Sequence, residues 1–364
     1  MNRRDFIKGG FTVSAGLALG GIPNLRDLAF ANDAKWRTFE VITRLEVADP
    51  VGAVRAWVPV PLTTNTDYFK REPDSWTGNY KSAKAVQYDK YGTGMVFAEW
   101  AAGEKAPVVE VKSRFMTRDR AVDISRKAAS APAESKATLD YFKKPSKLIR
   151  TDGIVATTSK GIIQGYKTDV DKAQAIYEWI VDNTFRDPKV KGCGIGDIST
   201  MLHTGYLGGK CADLNALFVG LARAAGLPAR DVYGVRVANS DEFKSLGKAD
   251  DISGAQHCRA EVWLNGFGWL PVDPADVRKV VLEENLPGAP LPLDDPKVKK
   301  ARAKLFGAWE MNWLPYNYAH DLKLPNSNGP ELGYFMYPQG ETANGRKDGM
   351  DFKTFSYTIK SKEV

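Results

Sequence analysis

Gly208-Gly209-Lys210-Cys211-Ala212-Asp213-Leu214-Asn215-Ala216-Leu217-Phe218 is the stretch on which the reading of this chain turns. Two glycines free the backbone for a sharp approach, and Leu214, Leu217, Phe218 and Leu221 then recur at the spacing of one helix face. Gly226 and Pro228 end that helix. Cys211 therefore falls in the first helical turn. There, unpaired backbone N–H groups and the positive end of the helix dipole favour a thiolate, lowering a pKa of about 8.5 in free cysteine. A buried structural cysteine is the commoner fate of this residue type, but the glycine pair and the helix start argue for a nucleophile.

Two further groups arrive downstream, in Gln256-His257-Cys258 and in Pro271-Val272-Asp273-Pro274. His257, Arg259, Glu261 and Trp263 share one face of a predicted strand, while Cys258, Ala260, Val262 and Leu264 share the other. Asn265-Gly266 signals a tight hairpin, and Phe267 to Val272 returns. Counting back from a two-residue turn puts His257 opposite Asp273 or one residue from it. Cross-strand neighbours lie about 4.5–5.5 Å apart at Cβ, near enough for a carboxylate to accept an imidazole N–H. A bulge at Gly266 or Gly268 would shift that register. Cys211, His257 and Asp273 together make the nucleophile, base and carboxylate that a thiol acyl-transfer site requires.

The chain has 364 residues, 43% hydrophobic and 26% charged, ordinary for a soluble protein of two or three domains. Residues 1–31 read as a bacterial twin-arginine export signal: Arg3-Arg4-Asp5-Phe6-Ile7-Lys8, an apolar run from Gly9 to Ile22, and Ala29-Phe30-Ala31 as a small-residue cleavage site. That run falls short of the roughly 20 residues that span a bilayer, so cleavage, a periplasmic location and no lasting membrane insertion are expected. Four cations (Arg3, Arg4, Lys8, Arg26) and two anions (Asp5, Asp27) leave with it, taking the formal charge from +7 to +5. The remaining lysines are scattered among acids, which gives nucleic-acid binding little support. Three cysteines, Cys193, Cys211 and Cys258, leave at least one thiol unpaired; if a bridge forms, Cys193–Cys258 leaves Cys211 free. No close pair of Cys or His ligands suggests zinc, no acidic loop suggests calcium, and no cofactor is expected. His203 and His320 show no comparable partners.

Residues 35–120 alternate with period two. Phe39, Val41, Thr43, Leu45 and Val47 face one way and Glu40, Arg44 and Glu46 the other; Val54, Ala56, Val58 and Val60 repeat the pattern, as do Val109, Val111, Ser113 and Phe115. This predicts an antiparallel sheet or small sandwich with one buried face, in which Pro59 and Pro61 restrict their strand to an edge or mark its end. Residues 121–150 read as a linker or surface segment, and 151–280 as the core, opening on a helix capped by Thr168. Residues 281–364 form an aromatic-rich extension that packs on that core, with the aromatics, Phe352 and Phe355 among them, read as packing. The segment Ala238 to Ala255 is long for a connection and is expected to border the cleft.

Four segments together resemble the bacterial transglutaminase-like superfamily: Gly209-Lys-Cys211-Ala-Asp-Leu-Asn-Ala-Leu-Phe218, Leu221-Ala-Arg-Ala-Ala-Gly-Leu-Pro-Ala-Arg230, Gln256-His-Cys-Arg-Ala-Glu-Val-Trp263 and Trp269-Leu-Pro-Val-Asp-Pro274. The resemblance covers residues 168–276. It implies an α+β, papain-like core with a Cys-His-Asp triad at Cys211, His257 and Asp273, preceded here by a mostly antiparallel, sandwich-like β domain. It also implies attack of the thiolate on a peptide or carboxamide carbonyl, with Trp179, Tyr206 and Gln256 as candidates for a second oxyanion donor beside the Cys211 N–H. Water as acceptor gives a peptidase or amidase acting on a peptide or protein substrate in the cell envelope, and an amine gives a protein cross-linker. A non-catalytic envelope binding or assembly module is the alternative from another class. A thiol redox role lacks the Cys-x-x-Cys pair it would use.

Overall fold

The computed structural model describes residues 35–88, 91–125, 133–351 and 353–364. The export-signal reading of residues 1–31, part of the proposed linker and Phe352 lie outside them. The alternating N-terminal segments form two antiparallel sheets that share one apolar core. In the first, Arg37–Val47 lies between Val108–Thr117 and Phe355–Glu363; in the second, Val54–Val60 lies between Thr93–Trp100 and Gln339–Thr342. Phe39, Val41, Thr43, Leu45 and Val47 are all buried, as their alternation requires. Gly340 lets the sheets close on one another, because a Cβ there would lie 2.4 Å from the Phe355 ring.

Two differences from the sequence reading have physical causes, and one open alternative is resolved. Val54–Val60 is not an edge strand; of the two alternatives the prolines mark its end, since the strand stops at Val60 and Gln339–Glu341 pairs only with Arg55–Trp57, leaving Pro59 beyond the ladder on that side. Nor has that strand only one buried face, since Trp57 packs on its other side with Met95, Phe97, Leu322 and Phe335. The extension after residue 281 divides between both halves of the molecule. Trp313–Asn317 joins the core sheet, while Gln339–Thr342 and Phe355–Glu363 enter the N-terminal sheets.

The core is a four-stranded antiparallel sheet ordered Gly268–Val272, Gln256–Leu264, Ala229–Arg236, Trp313–Asn317. The cysteine helix, Cys211–Ala224, packs against its two central strands and is itself covered by the helices Gly153–Ile162, Asp169–Asn183 and Pro274–Glu283. Every residue of it from Cys211 to Arg223 is buried, where the sequence suggested a single stripe; a helix enclosed on all sides holds its first turn rigidly. Thr168 caps Asp169–Asn183 by accepting the Asp171 N–H at 3.1 Å. Residues 133–150 also prove to be docked. They contain the helix Lys136–Tyr141, and Phe142 and Ile149 are buried against the core.

One buried ionic group joins the halves. Glu261 on the histidine strand, Gln256–Leu264, accepts from Arg230 Nε at 2.6 Å and from Arg120 Nη1 in the short strand Arg120–Ala121. The Arg230 guanidinium lies 3.9 Å from the centre of the Trp269 ring and 3.8 Å from that of Tyr318. Replacing Glu261 by Gln leaves two buried cations undercompensated, so stability should fall by about 3–5 kcal/mol. Urea unfolding followed by circular dichroism checks this; an unchanged midpoint would show that the arginines do not depend on Glu261.

Candidate active site

The thiol is placed by its own helix start. Asp213, third residue of the cysteine helix, accepts the Lys210 N–H at 3.0 Å through Oδ2, and the Ile195 and Gly196 N–H groups at 3.0 and 2.9 Å through Oδ1. One carboxylate thus ties the helix entry to the glycine-rich loop before it. Gly194 takes φ +95°, and a Cβ there would sit 1.9 Å from Asp213 Oδ2, so only glycine admits this approach. The Ala212 N–H donates to the Cys193 carbonyl at 2.9 Å, holding that loop against the residue after the thiol.

His257 and Asp273 meet as the sequence count anticipated, but through a different register. The hairpin closes with Leu264 opposite Gly268, because Gly266 and Gly268 both take positive φ and make a three-residue connection. Continuing that register puts Asp273 across from Arg259, with His257 two residues further along the same face. The carboxylate reaches it diagonally, and His257 Nε2 lies 2.7 Å from Asp273 Oδ2. Asp273 also caps the helix Pro274–Glu283, accepting the Asp276 N–H at 3.0 Å, and Asn215 Nδ2 donates to it at 3.2 Å.

Sequence reasoning missed the rest of this cluster. Asp276 Oδ2 lies 3.3 Å from the same His257 Nε2, and its Oδ1 accepts from Arg236 Nη2 at 2.6 Å. Arg259 Nε stands 3.7 Å from Asp273 Oδ2. The usable signals were there: Asp276 is the third helical residue after a capping Asp273, and Arg259 is the next residue on the His257 face. His257, Asp273 and Asp276 offer ligand atoms within 4.8 Å of one another. A metal ion fits poorly, since Arg236 and Arg259 already supply cations to both carboxylates.

All of these groups are buried; Cys211 is 4% exposed, His257 3% and Asp273 0%. Burial and the charge of Arg236 disfavour the imidazolium, yet Asp276 and Asp273 outweigh them and raise the His257 pKa to about 9. Hydrogen bonds from the Cys193 and Cys258 thiols, and then one from His257, hold the Cys211 thiol well below its ordinary range against the effect of burial. Burial and the Asp276 charge raise the Asp273 carboxyl. Burial also pushes Asp276 upward, but Arg236 and His257 prevail and hold it well below the usual carboxylate range. With Nε2 committed to the carboxylates, Nδ1 is the ring atom left for the thiol.

Other expected residues fall differently. Tyr206 is exposed and its hydroxyl donates to Asp187 Oδ2 at 2.7 Å, so it is committed elsewhere. Trp179 is half-buried and packs on the core. Gln256 keeps its Nε2 buried without an acceptor at bonding geometry, and its carbonyl lies 3.3 Å from the Cys193 sulfur. All three cysteines are free, so the Cys193–Cys258 bridge does not form here. His203 is exposed at the end of the helix Ile198–Thr204. His320 does have partners, with Nδ1 3.4 Å from the Tyr233 hydroxyl and Nε2 3.3 Å from Asp231 Oδ2. The segment 238–255 is tied down: the Leu246 carbonyl accepts from Arg236 at 2.5 Å and from Asn312 at 3.1 Å, so it braces the charge cluster.

Comparison with known proteins agrees with this geometry at the level of family and fold. The model of the transglutaminase-like superfamily matches residues 156–274. An uncharacterized protein of Haemophilus influenzae is 35% identical over 328 residues, covering 86% of this chain and 87% of that one. The crystal structure of a "putative cysteine protease" from Cytophaga hutchinsonii superposes with a TM-score of 0.51 at 15% identity, over 90% of this chain and 99% of that one, a likeness of fold.

Alkylation of Cys211 by iodoacetamide across pH tests the electrostatics. The wild-type rate should reach its plateau well below the free-cysteine value of about 8.5, and His257→Ala should move the midpoint upward. An unshifted midpoint in the variant would remove His257 from the thiol's environment. The linked stability term has the opposite pH sense. A raised His257 pKa favours the folded state fully below its ordinary value near 6.5, and that contribution disappears as pH rises through about 9.

Proposed function

From the chain's membership of the transglutaminase-like superfamily through residues 156–274, we propose that it is a cysteine acyl-transfer enzyme that hydrolyses peptide or carboxamide bonds in the cell envelope. The observation that carries this reading is the 2.7 Å contact of His257 Nε2 with Asp273, on an imidazole that also lowers the Cys211 pKa. That contact fixes the tautomer and turns Nδ1 to the sulfur.

The reaction follows from the charges. Cys211 Sγ attacks the carbonyl carbon as a thiolate, and the Cys211 N–H and Gln256 Nε2 receive the oxyanion. Imidazolium His257 gives its Nδ1 proton to the departing amine, leaving a thioester on Cys211. Neutral His257 then takes a proton from water, which attacks the thioester and frees the acid and the thiolate. Asp273 holds the ring through both proton transfers, and Asp276, paired with Arg236, keeps the imidazolium compensated while it lasts.

Access requires the cover to yield. The Tyr334 hydroxyl donates to the Gly194 carbonyl at 2.8 Å, and Tyr337 reaches Cys193, so this C-terminal segment roofs the loop beside the thiol. The N-terminal Arg3-Arg4 segment supports delivery to the periplasm, where envelope peptides are the matching substrates.

Incubating envelope peptides with the wild type and with Cys211→Ala, followed by mass spectrometry, tests the function. Addition of one water across a cleaved bond is expected with the wild type only. A new amine adduct would replace hydrolysis by cross-linking, and identical spectra from both proteins would leave a binding module. His257→Ala should lower turnover by about 10²-fold or more, as loss of a general acid and base does.

A further inference from the structure

The chain has three cysteines, and the fold brings all of them to one place. Cys193 and Cys258 each contact the Cys211 sulfur, from a loop and a strand that are remote from one another in sequence. Cys258 is set in the ladder opposite Tyr233, with its carbonyl held by Asn215 Nδ2 at 2.8 Å. Cys193 is held differently. It stands between Gly192 and Gly194, at φ +56° and +95°, and its carbonyl is bonded to Ala212 N, immediately after the nucleophile. Asp213 fastens the next two residues of that loop, so the Cys193 thiol is kept beside Cys211 by main-chain bonds.

We propose that Cys193 is a resolving cysteine, and that oxidation of Cys211 by a hydroperoxide is captured as a reversible Cys193–Cys211 disulfide. The Cys211 thiolate attacks one peroxide oxygen, the O–O bond breaks, and Cys211 carries a sulfenic acid while the second oxygen takes the proton of imidazolium His257 and leaves as water or an alcohol. The Cys193 sulfur then attacks the Cys211 sulfur. The S–S bond forms, the S–O bond breaks, and the hydroxyl departs as water with the Cys193 proton. Two thiols lose two electrons and two hydrogens to the peroxide, and a dithiol reductant restores both.

The physical case is one of competition. A low-pKa thiolate is the sulfur that peroxide oxidises, and with no thiol at hand a sulfenic acid proceeds to sulfinic and sulfonic acids, which are not recovered. A neighbouring thiol intercepts that course, because a disulfide stays within reach of exchange. No Cys-x-x-Cys pair is needed, since folding supplies the second sulfur. The inference rests on the reading of Cys211 as an ionised nucleophile, but not on any particular substrate.

Peptide mapping tests it without an activity assay. The full chain is treated with hydrogen peroxide, free thiols are blocked with iodoacetamide, and the protein is digested without reductant. The expected product is a peptide pair linking Cys193 to Cys211, lighter by two hydrogens and cleaved by dithiothreitol, with Cys258 alkylated. Cys193→Ser should instead accumulate sulfinic acid at Cys211 that dithiothreitol does not reverse, whereas Cys258→Ser should still form the link. Oxygen addition at wild-type Cys211 without a link, or a link from Cys211 to Cys258, overturns the proposal. A hydrolase assay that fails while the link forms would discard the proposed substrate and leave this inference standing.

Discussion

The contact between His257 and two carboxylates, enclosed by two arginines, is the interaction on which the rest of the site depends. Burying ionised groups is costly unless each meets an opposite charge. With Cys211 as thiolate and His257 as imidazolium, the cluster holds three negative groups (Cys211, Asp273, Asp276) and three positive ones (His257, Arg236, Arg259). Returning the proton to sulfur leaves two of each. The site is neutral in both states, so a proton can pass between thiol and imidazole without creating net charge in a dry interior. This explains why the fold surrounds a single histidine with four further charged side chains. Asp273 and Asp276 alone would leave an excess of negative charge, and Arg236 and Arg259 remove it.

Much of this was legible in the sequence because it is local. A glycine pair before helical spacing located Cys211, and an Asn-Gly turn between alternating strands brought His257 and Asp273 to one sheet face. The register prediction missed by one residue, for Phe267 joins Asn265 and Gly266 in the turn. The pairing nevertheless formed, since a side chain long enough to cross a diagonal tolerates that slip. Asp276, Arg236 and Arg259 were not legible in the same way. Each is an ordinary surface type whose burial is decided by its partner, and the partners lie on different segments. Arg236, for example, is bonded both to Asp276 and to the Leu246 carbonyl.

The fold shows the same division between local and remote information. Alternation located the N-terminal strands, and Phe39 to Val47 bury the faces it assigned. Nothing local reveals that Phe355–Glu363 returns to pair with Arg37–Val47, or that Trp313 sends its indole N–H to the His257 carbonyl at 2.9 Å. The return has a consequence for the site. By closing both sheets with its last strands, the chain carries Tyr334 and Tyr337 across the core on the way, and these rings roof the loop that bears Cys193. The N-terminal half is therefore coupled to the thiol through the end of the chain as well as through Glu261 and its two arginines.

Enclosure sets the final constraint, because a thiolate removed from water must be solvated by something else. Here the Cys193 and Cys258 thiols and the His257 ring take that role, and they outweigh a burial effect that acts in the opposite direction. Two of the three donors are soft, weakly polar groups, so the sulfur is ionised without being held by strong acids that would blunt its nucleophilicity. The same arrangement surrounds the most oxidisable atom of the site with the only other thiols in the chain. Ionisation at low pH and exposure to oxidants are thus one physical property seen from two sides. A fold that stabilises the thiolate through neighbouring thiols has, by that choice of donor, also placed beside it the Cys193 sulfur that the proposed disulfide uses.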